Sequence, residues 1–298
     1  MSNDLQVTIP IHGTFRLSPD AKQLHPIYLA TYGSLEGPDI IQSHDNGVVC
    51  RATWTGQTLS SSAAIRRSLP TRVVFKLYYC DSRLNDLEHE ARMYAHASKV
   101  QGSVIPRCFG LFAGVNVENE DERVKLLLLE DCGDPRRHSN GKLVLPDEFS
   151  LKQSLAIIKC LVLLHQDGGL EHHDFEPRNI VWLNDERPVI VDLGHAKRHE
   201  CDQRLVISPM KLYPDIDEFG CFEVHDRCVR YGIWFHDEVC FAGVWIPAKD
   251  IHTLEDVIQP AAERGVRIDD RALEVAKQVF AHIKFRRDHY PESLEPRS

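Results

Sequence analysis

The chain has 298 residues, of which 43% are hydrophobic and 27% charged, a composition that predicts a folded globular protein with at least one sizeable core. Its 35 Lys and Arg residues against 44 Asp and Glu residues give a formal charge of −9. Because the sequence also lacks a block of basic residues, DNA and RNA are not expected as partners. Its apolar stretches are too short to span a bilayer, so no membrane partner is expected either. The oligomeric state stays open.

The cysteine content points to a reducing compartment. The nine cysteines are odd in number and form no C-x-x-C pair, which favours neither a disulfide framework nor a zinc ribbon. The N-terminus lacks the basic flank and apolar region that are typical of a secretory signal peptide. We therefore expect a cytoplasmic protein, with the nucleus as the alternative.

The first half of the chain is predicted to be rich in strands. Residues 1–39 contain Pro and Gly without periodicity, which predicts an irregular N-terminal extension. A hairpin is expected around Asn46-Gly47, and residues 72–79 are expected to form a strand that contains one lysine. Apolar spacings of three and four predict a helix over residues 81–98. Two further strands are predicted over residues 104–112 and 124–130.

The second half is predicted to be mainly helical. Gly and Pro within residues 130–135 indicate a linker. Ser150 and Gln153 then form a capping-box pair, which opens an apolar helix that runs to Leu164. The remaining predicted elements are short strands over residues 180–183 and 189–192 and a helix over residues 269–287, whereas residues 204–257 show no clean period.

The polar segment from His172 to Asn179 carries the clearest chemical signal. It lies between a long apolar helix and a short hairpin, and thirteen residues after it Asp192 begins an Asp-Leu-Gly sequence. We expect the oxygen-bearing side chains of Asp174, Asn179 and Asp192 to converge above a rigid base. Hard cations prefer such ligands, and phosphoryl transfer uses them to hold Mg²⁺ against a polyphosphate.

These motifs resemble the catalytic loop H-R-D-x-x-x-x-N and the D-F-G element of the protein kinase superfamily, which includes the aminoglycoside phosphotransferase branch. Lys76, in the sequence V-V-F-K, matches the V-A-I-K strand of that family. The resemblance covers residues 40–194 and implies an atypical member with a bilobal α+β fold. Residues 40–130 would form a small strand-rich N-lobe and residues 131–298 a mainly helical C-lobe, with ATP between them.

The resemblance also implies catalytic and metal-binding roles. Asp174 would accept the proton of an attacking hydroxyl, and Asn179 and Asp192 would hold Mg²⁺. Lys76 would contact the α- and β-phosphates of ATP. Only Gly47 stands where the family has a Gly-rich loop, so the expected phosphate cradle is loose.

Further nucleotide contacts are implied in the same way. Backbone groups of Glu130 and Cys132 would bind adenine. The glutamate partner of Lys76 is either Glu88 or Glu90, which lie on opposite sides of the apolar stripe of the predicted helix. Helix geometry does not choose between them, and the arrangement familiar in kinase-like proteins favours Glu90.

The function that follows is an ATP- and Mg²⁺-dependent phosphotransferase acting on a hydroxyl. Protein Ser or Thr side chains are placed slightly ahead of small alcohols, and the missing peptide-docking element A-P-E leaves room for small alcohols as acceptors. The alternative is a pseudokinase that serves as a nucleotide-binding or protein-interaction scaffold.

A zinc site is a second alternative, suggested by several histidines near one cysteine. His195 and His199 are four residues apart and could share a helical face, but their spacing to Cys201 matches no zinc family. Solvated or core histidines are therefore the preferred interpretation of the whole group, which comprises His165, His172, His173, His195 and His199.

Overall fold

The computed structural model describes residues 5–9, 13–19, 30–44, 46–59, 72–79 and 81–295. The chain divides into two compact units. The first comprises Met1–Leu145 and Ala156–Cys201, and the second comprises Pro146–Leu155 and Asp202–Ser298. Each unit contains a hydrophobic core of its own.

Seven strands of the first unit form a closed barrel, in the order β1-β2-β6-β7-β5-β4-β3. Neighbouring strands are antiparallel except β1 and β3, whose parallel pairing closes the sheet. A closed sheet satisfies the backbone groups that an edge strand would leave unpaired. The strands are β1 (Leu5–Ile9), β2 (Gly13–Pro19), β3 (Ala30–His44), β4 (Gly47–Leu59), β5 (Arg72–Tyr78), β6 (Cys108–Asn116) and β7 (Arg123–Glu130).

The alternation of side chains along β5 decides which face each residue occupies. Val73, Phe75 and Leu77 belong to the barrel core, so Lys76 points to the outer face. Helix α1 (Asp81–His96) packs against β5, β6 and β7. The lysine is buried because the helix covers the outer face of the barrel at this point.

The remainder of the first unit contains short strands and most of helix α2 (Leu151–Gln166), whose residues from Ala156 onward belong to this unit. The capping box expected at its start is present, since the Ser150 N–H donates to Gln153 Oε1 at 3.0 Å. Strand β10 pairs with β8 and β11, and β9 pairs with β12. These strands are β8 (Asp134–Pro135), β9 (Leu170–Glu171), β10 (Ile180–Asn184), β11 (Arg187–Ile190) and β12 (Lys197–Arg198).

The second unit packs a two-stranded sheet and helices around its own apolar core. Its last long helix is capped by Asp269, whose Oδ1 accepts from the Ala272 N–H at 2.8 Å. Over the described residues, no helix combines the length and the apolar character needed to cross a membrane. The elements are α3 (Ile216–Phe219), α4 (Phe222–Arg230), β13 (Glu238–Phe241), β14 (Val244–Pro247), α5 (Glu255–Glu263) and α6 (Asp270–His289).

The expected bilobal kinase-like fold is wrong. The described residues form a closed seven-stranded barrel and six α-helices instead of a small open N-lobe and a helical C-lobe. The expectation of an irregular extension over residues 1–39 is also wrong. The described residues of this range form β1, β2 and the start of β3. Leu5, Val7 and Ile9 alternate into the core, a period-two signal that the nearby Pro and Gly residues obscured.

Candidate functional site

A buried lysine between two carboxylates is the centre of the candidate site. Lys76 Nζ donates to both carboxylate oxygens of Glu90 at 2.9 Å and to Asp192 Oδ1 at 2.6 Å. The side chain of Lys76 is 10% exposed and that of Glu90 is 3% exposed, whereas that of Asp192 is 40% exposed. A ligand can therefore reach the cluster from the side of Asp192.

The structure pairs Lys76 with Glu90 and gives Glu88 a different partner. Glu88 forms an ion pair with Lys125 of β7 and lies 3.8 Å from Arg92 on its own helix. The orientation of α1 on the barrel separates the two glutamates, which helix periodicity alone could not do.

The three charges shift one another's pKa values. Burial alone would lower the pKa of Lys76, but the carboxylates of Glu90 and Asp192 outweigh burial and raise it. Burial raises the pKa of Glu90 despite the nearby ammonium. Burial would also raise the pKa of Asp192, but the positive charge of Lys76 outweighs burial and lowers the pKa of this carboxyl group. Lys76 and Asp192 are therefore charged at neutral pH, and Glu90 is the first of the three to take up a proton on acidification.

Helix α1 also fixes the segment that carries Asp192. The Leu193 N–H donates to the Glu90 carboxylate, and the imidazole of His89 donates from Nε2 to the Ala196 carbonyl at 2.9 Å. Asp192 itself has a left-handed backbone, with φ of 66°. Such a conformation is uncommon outside glycine and persists where the surroundings hold it. Here the helix supplies that support.

The carboxylate of Asp174 has two side-chain partners on its own loop. Its Oδ1 accepts from Arg178 Nη2 at 2.5 Å, and its Oδ2 accepts from Asn179 Nδ2 at 2.9 Å. Asn179 is buried. Because its amide nitrogen is directed at Asp174, its Oδ1 is the atom suited to a cation.

Val191 joins the Asp174 loop to the Asp192 segment. Its N–H donates to the Asn179 carbonyl at 2.9 Å, and its carbonyl accepts from His172 Nε2 at 3.1 Å. The Asp174 N–H donates to His172 Nδ1 at 3.2 Å. These bonds require a neutral imidazole with its proton on Nε2. His172 therefore braces the loop through both ring nitrogens.

Gly47 has a packing reason to be glycine. It lies opposite Tyr78 in the β4–β5 ladder, two residues before Val49, which lies opposite Lys76. A Cβ at this position would overlap the Tyr78 ring and lie 2.5 Å from the Leu77 carbonyl oxygen. Strand pairing therefore accounts for Gly47 without any phosphate contact.

Glu130 and Cys132 lie at the end of β7. The Glu130 N–H donates to the Arg107 carbonyl at 2.9 Å, and the Glu130 side chain accepts from the Arg107 N–H at 3.1 Å. Cys132 is buried beside Val181 and Val189, and burial raises the pKa of its thiol to about 12. Leu127 lies opposite Lys76 in the β5–β7 ladder. Glu130 is three residues further along β7, a distance of about 10 Å from Leu127.

The sequence reasoning missed two arginines, one that contacts Asp174 and one on the barrel. Arg178 could have been noticed because it follows Asp174 at the i,i+4 spacing of an ion pair. Arg51 of β4 has no comparable local signal. Its guanidinium lies 2.9 Å from Asp131 and 3.0 Å from Asp134, so it links the barrel to the segment after β7 through long-range contacts.

Comparison of the chain with known protein-family models and with curated proteins gives no match. Together with the closed barrel, this result overturns the expected membership of the protein kinase superfamily. Lys76, Glu90, Asp174, Asn179 and Asp192 nevertheless lie in one unit of the chain, with Lys76, Glu90 and Asp192 in direct contact. The site must therefore be interpreted by its own chemistry.

That chemistry fits a magnesium nucleotide. Asp192 and Asn179 supply a carboxylate and an amide oxygen, the types of ligand that Mg²⁺ takes when substrate phosphates and water complete its shell. The ammonium of Lys76 is a compact cation of the kind that binds phosphate oxygens.

Proposed function

We propose that this chain is an ATP- and Mg²⁺-dependent phosphotransferase that transfers the γ-phosphoryl group to a hydroxyl. The observation that carries the proposal is the position of Lys76 Nζ, held 2.6 Å from Asp192 and 2.9 Å from Glu90. An ammonium aligned beside a half-exposed carboxylate offers one group to phosphate oxygens and the other to a cation. Aligning charges before the substrate arrives is the main route by which proteins accelerate phosphoryl transfer.

Asp192 and Asn179 are the residues that would hold Mg²⁺. The bound ion would neutralise charge on the phosphates and orient them. Glu90 positions Lys76, because both of its oxygens accept from the ammonium. Val191 keeps Asn179 next to the Asp192 segment by its backbone bond.

Asp174 is assigned to the acceptor hydroxyl. The hydroxyl oxygen forms a bond to the γ-phosphorus while the bond from that phosphorus to the β,γ-bridging oxygen breaks, and ADP leaves with the bonding electrons. The hydroxyl proton passes to Asp174 and then to solvent. Arg178, paired with Asp174, adds positive charge near the transferred group.

The acceptor is a hydroxyl of a protein Ser or Thr side chain, or of a small alcohol. An acidic chain with a −9 formal charge does not suit a nucleic acid acceptor. We also propose that the protein is located in the cytoplasm, as its cysteine content predicts.

Turnover of ATP by matched carboxylate-to-amide variants tests the proposal. The full chain is assayed with ATP and Mg²⁺ against a Ser/Thr peptide mixture and a panel of small alcohols. Asp174→Asn and Asp192→Asn should each lower turnover by at least about 100-fold. Asp185→Asn is the control, because this carboxylate is 93% exposed in the β10–β11 turn. Turnover that is unchanged in all three variants would refute the proposal.

A nucleotide-binding protein without catalysis is the second candidate. It is favoured by the two side-chain bonds that Asp174 already accepts from Arg178 and Asn179, because a carboxylate engaged by both is less available to an incoming hydroxyl. Thermal unfolding separates the two candidates, because a ligand of the native state raises the melting temperature. Stabilisation by Mg²⁺ and ATP that is lost in Asp192→Asn, without turnover in the wild type, would establish binding alone.

A further inference from the structure

We propose that His165, His199 and Cys201 form a zinc site. The ligand atoms of these three side chains lie within 4.8 Å of one another. All three residues belong to the first unit of the chain, and none of them takes part in the candidate phosphoryl-transfer site.

The local fold explains how distant residues meet. His165 lies in the last turn of α2, and the chain then reverses at Gly168 and Gly169, where Gly169 has a φ of 63°. Strand β9 follows and pairs with β12, and the His199 N–H donates to the Gly169 carbonyl at 2.9 Å. This backbone frame brings His199 beside the end of the helix, and Cys201 is two residues further along.

The three side chains carry donor atoms that bind zinc, and they are buried or half-buried. His165 is 1% exposed, and His199 and Cys201 are half-buried. The two imidazole rings meet edge to face, with centroids 4.8 Å apart and planes at 73°. Imidazole nitrogen and thiolate sulfur are the preferred ligands of Zn²⁺, whereas Mg²⁺ prefers oxygen.

The spacing needs only a small contraction to bind the ion. Zinc–nitrogen bonds of ~2.0 Å and zinc–sulfur bonds of ~2.3 Å in a tetrahedron place the ligand atoms ~3.3–3.6 Å apart. A decrease of about 1.2–1.5 Å from the 4.8 Å limit brings the three donor atoms to that separation. A water molecule or a further side chain would take the fourth position. Binding converts the Cys201 thiol to a thiolate and releases its proton to solvent.

The sequence hypothesis joined the wrong histidines. His195 lies in a 3-10 turn from Leu193 to His195, so it does not share a helical face with His199. The second imidazole comes instead from His165, 34 residues earlier in the chain than His199. A pairing over that separation follows from the β9–β12 ladder and has no short sequence signature.

Metal content of the full chain is the first test. Protein stripped with a chelator and dialysed against zinc should retain about one zinc ion per chain. His199→Gln and Cys201→Ser should each abolish that retention, and His138→Gln and Cys240→Ser, at exposed positions, should leave it intact. Retention of zinc that is equal in all variants, or absent in the wild type, would overturn the proposal.

Cysteine labelling of the wild type avoids any question of misfolded variants. Zinc should slow iodoacetamide labelling of Cys201 by at least about tenfold, because a metal-bound thiolate is shielded from alkylation. Cys240 is exposed and provides the control in the same sample, since its labelling should not change. Labelling of Cys201 at the same rate with and without zinc would count against the site. Neither measurement depends on phosphotransferase activity.

Discussion

The two units of the chain each bury a cation, and they surround it differently. In the first unit, Lys76 lies between Glu90 and Asp192. In the second unit, Arg286 is 1% exposed and donates from Nη2 to the Ser293 carbonyl at 2.7 Å, with its guanidinium 4.5 Å from the centre of the Phe235 ring. Carboxylates enclose one cation, and neutral acceptors and an aromatic face enclose the other.

The pKa values reflect this difference. The carboxylates raise the pKa of Lys76 above its ordinary value. Burial lowers the pKa of Arg286 to about 10, and the charge of Asp237 offsets burial only in part. A cation with excess negative charge around it suits a site that receives metal ions and phosphates. A cation bound to neutral groups suits a structural bond between α6 and the segment after it.

The largest expected effect is loss of activity when Lys76 loses its charge. Lys76→Met should lower ATP turnover by at least about 100-fold, because under the proposed function it removes the preorganised cation that would bind the phosphates. Arg286→Met should leave turnover per folded molecule unchanged. Steady-state kinetics on protein verified by circular dichroism would check both. Comparable losses in the two variants would break the distinction between a functional and a structural cation.

Stability should also separate the two cations. Lys76→Met leaves the Glu90 carboxylate buried without its partner, which should cost about 3–5 kcal/mol of unfolding free energy. The double variant Lys76→Met/Glu90→Leu should regain most of that loss. Lys277, whose pair with Glu274 is solvent-exposed, is the surface control, and Lys277→Met should cost less than about 1 kcal/mol. Urea denaturation measures all three, and a double variant no more stable than Lys76→Met would contradict this account.

A smaller loss is expected for Arg286. Arg286→Met removes a donor from the Ser293 carbonyl and no carboxylate is left buried against it, so the cost should be about 1–3 kcal/mol. The same urea measurement applies. A cost larger than that of Lys76→Met would show that neutral acceptors hold a cation more strongly than carboxylates do here.

The smallest expected effects are two pH trends of opposite sign. The folded pKa of Glu90 is raised, so its contribution to stability is present below its ordinary pKa and is lost as the pH rises through the folded value. The folded pKa of Asp192 is lowered, so its contribution is present above its ordinary pKa and is lost as the pH falls through the folded value.

Unfolding free energies from pH 7 down to acidic pH would reveal both trends. The stability of the wild type relative to Glu90→Gln should increase on acidification, and its stability relative to Asp192→Asn should decrease at the lowest pH. Parallel trends would mean that the two carboxylates do not have the opposite shifts described for the site.

The local features of this protein follow from the amino-acid sequence alone. It identified Lys76 on a strand, Asp174 and Asn179 on one polar loop, and the capping box at the start of α2, because each depends on residues a few positions apart. It also narrowed the partner of Lys76 to two glutamates on one helix.

The remaining features depend on the three-dimensional fold, because the contacts that produce them join residues far apart in the chain. The parallel pairing of β1 with β3 closes the barrel and overturns the bilobal expectation. The packing of α1 selects Glu90, and the β9–β12 ladder brings His199 to the end of α2. Burial and charge at such meeting points depend on which surfaces pack together, and no local pattern of residues records that choice.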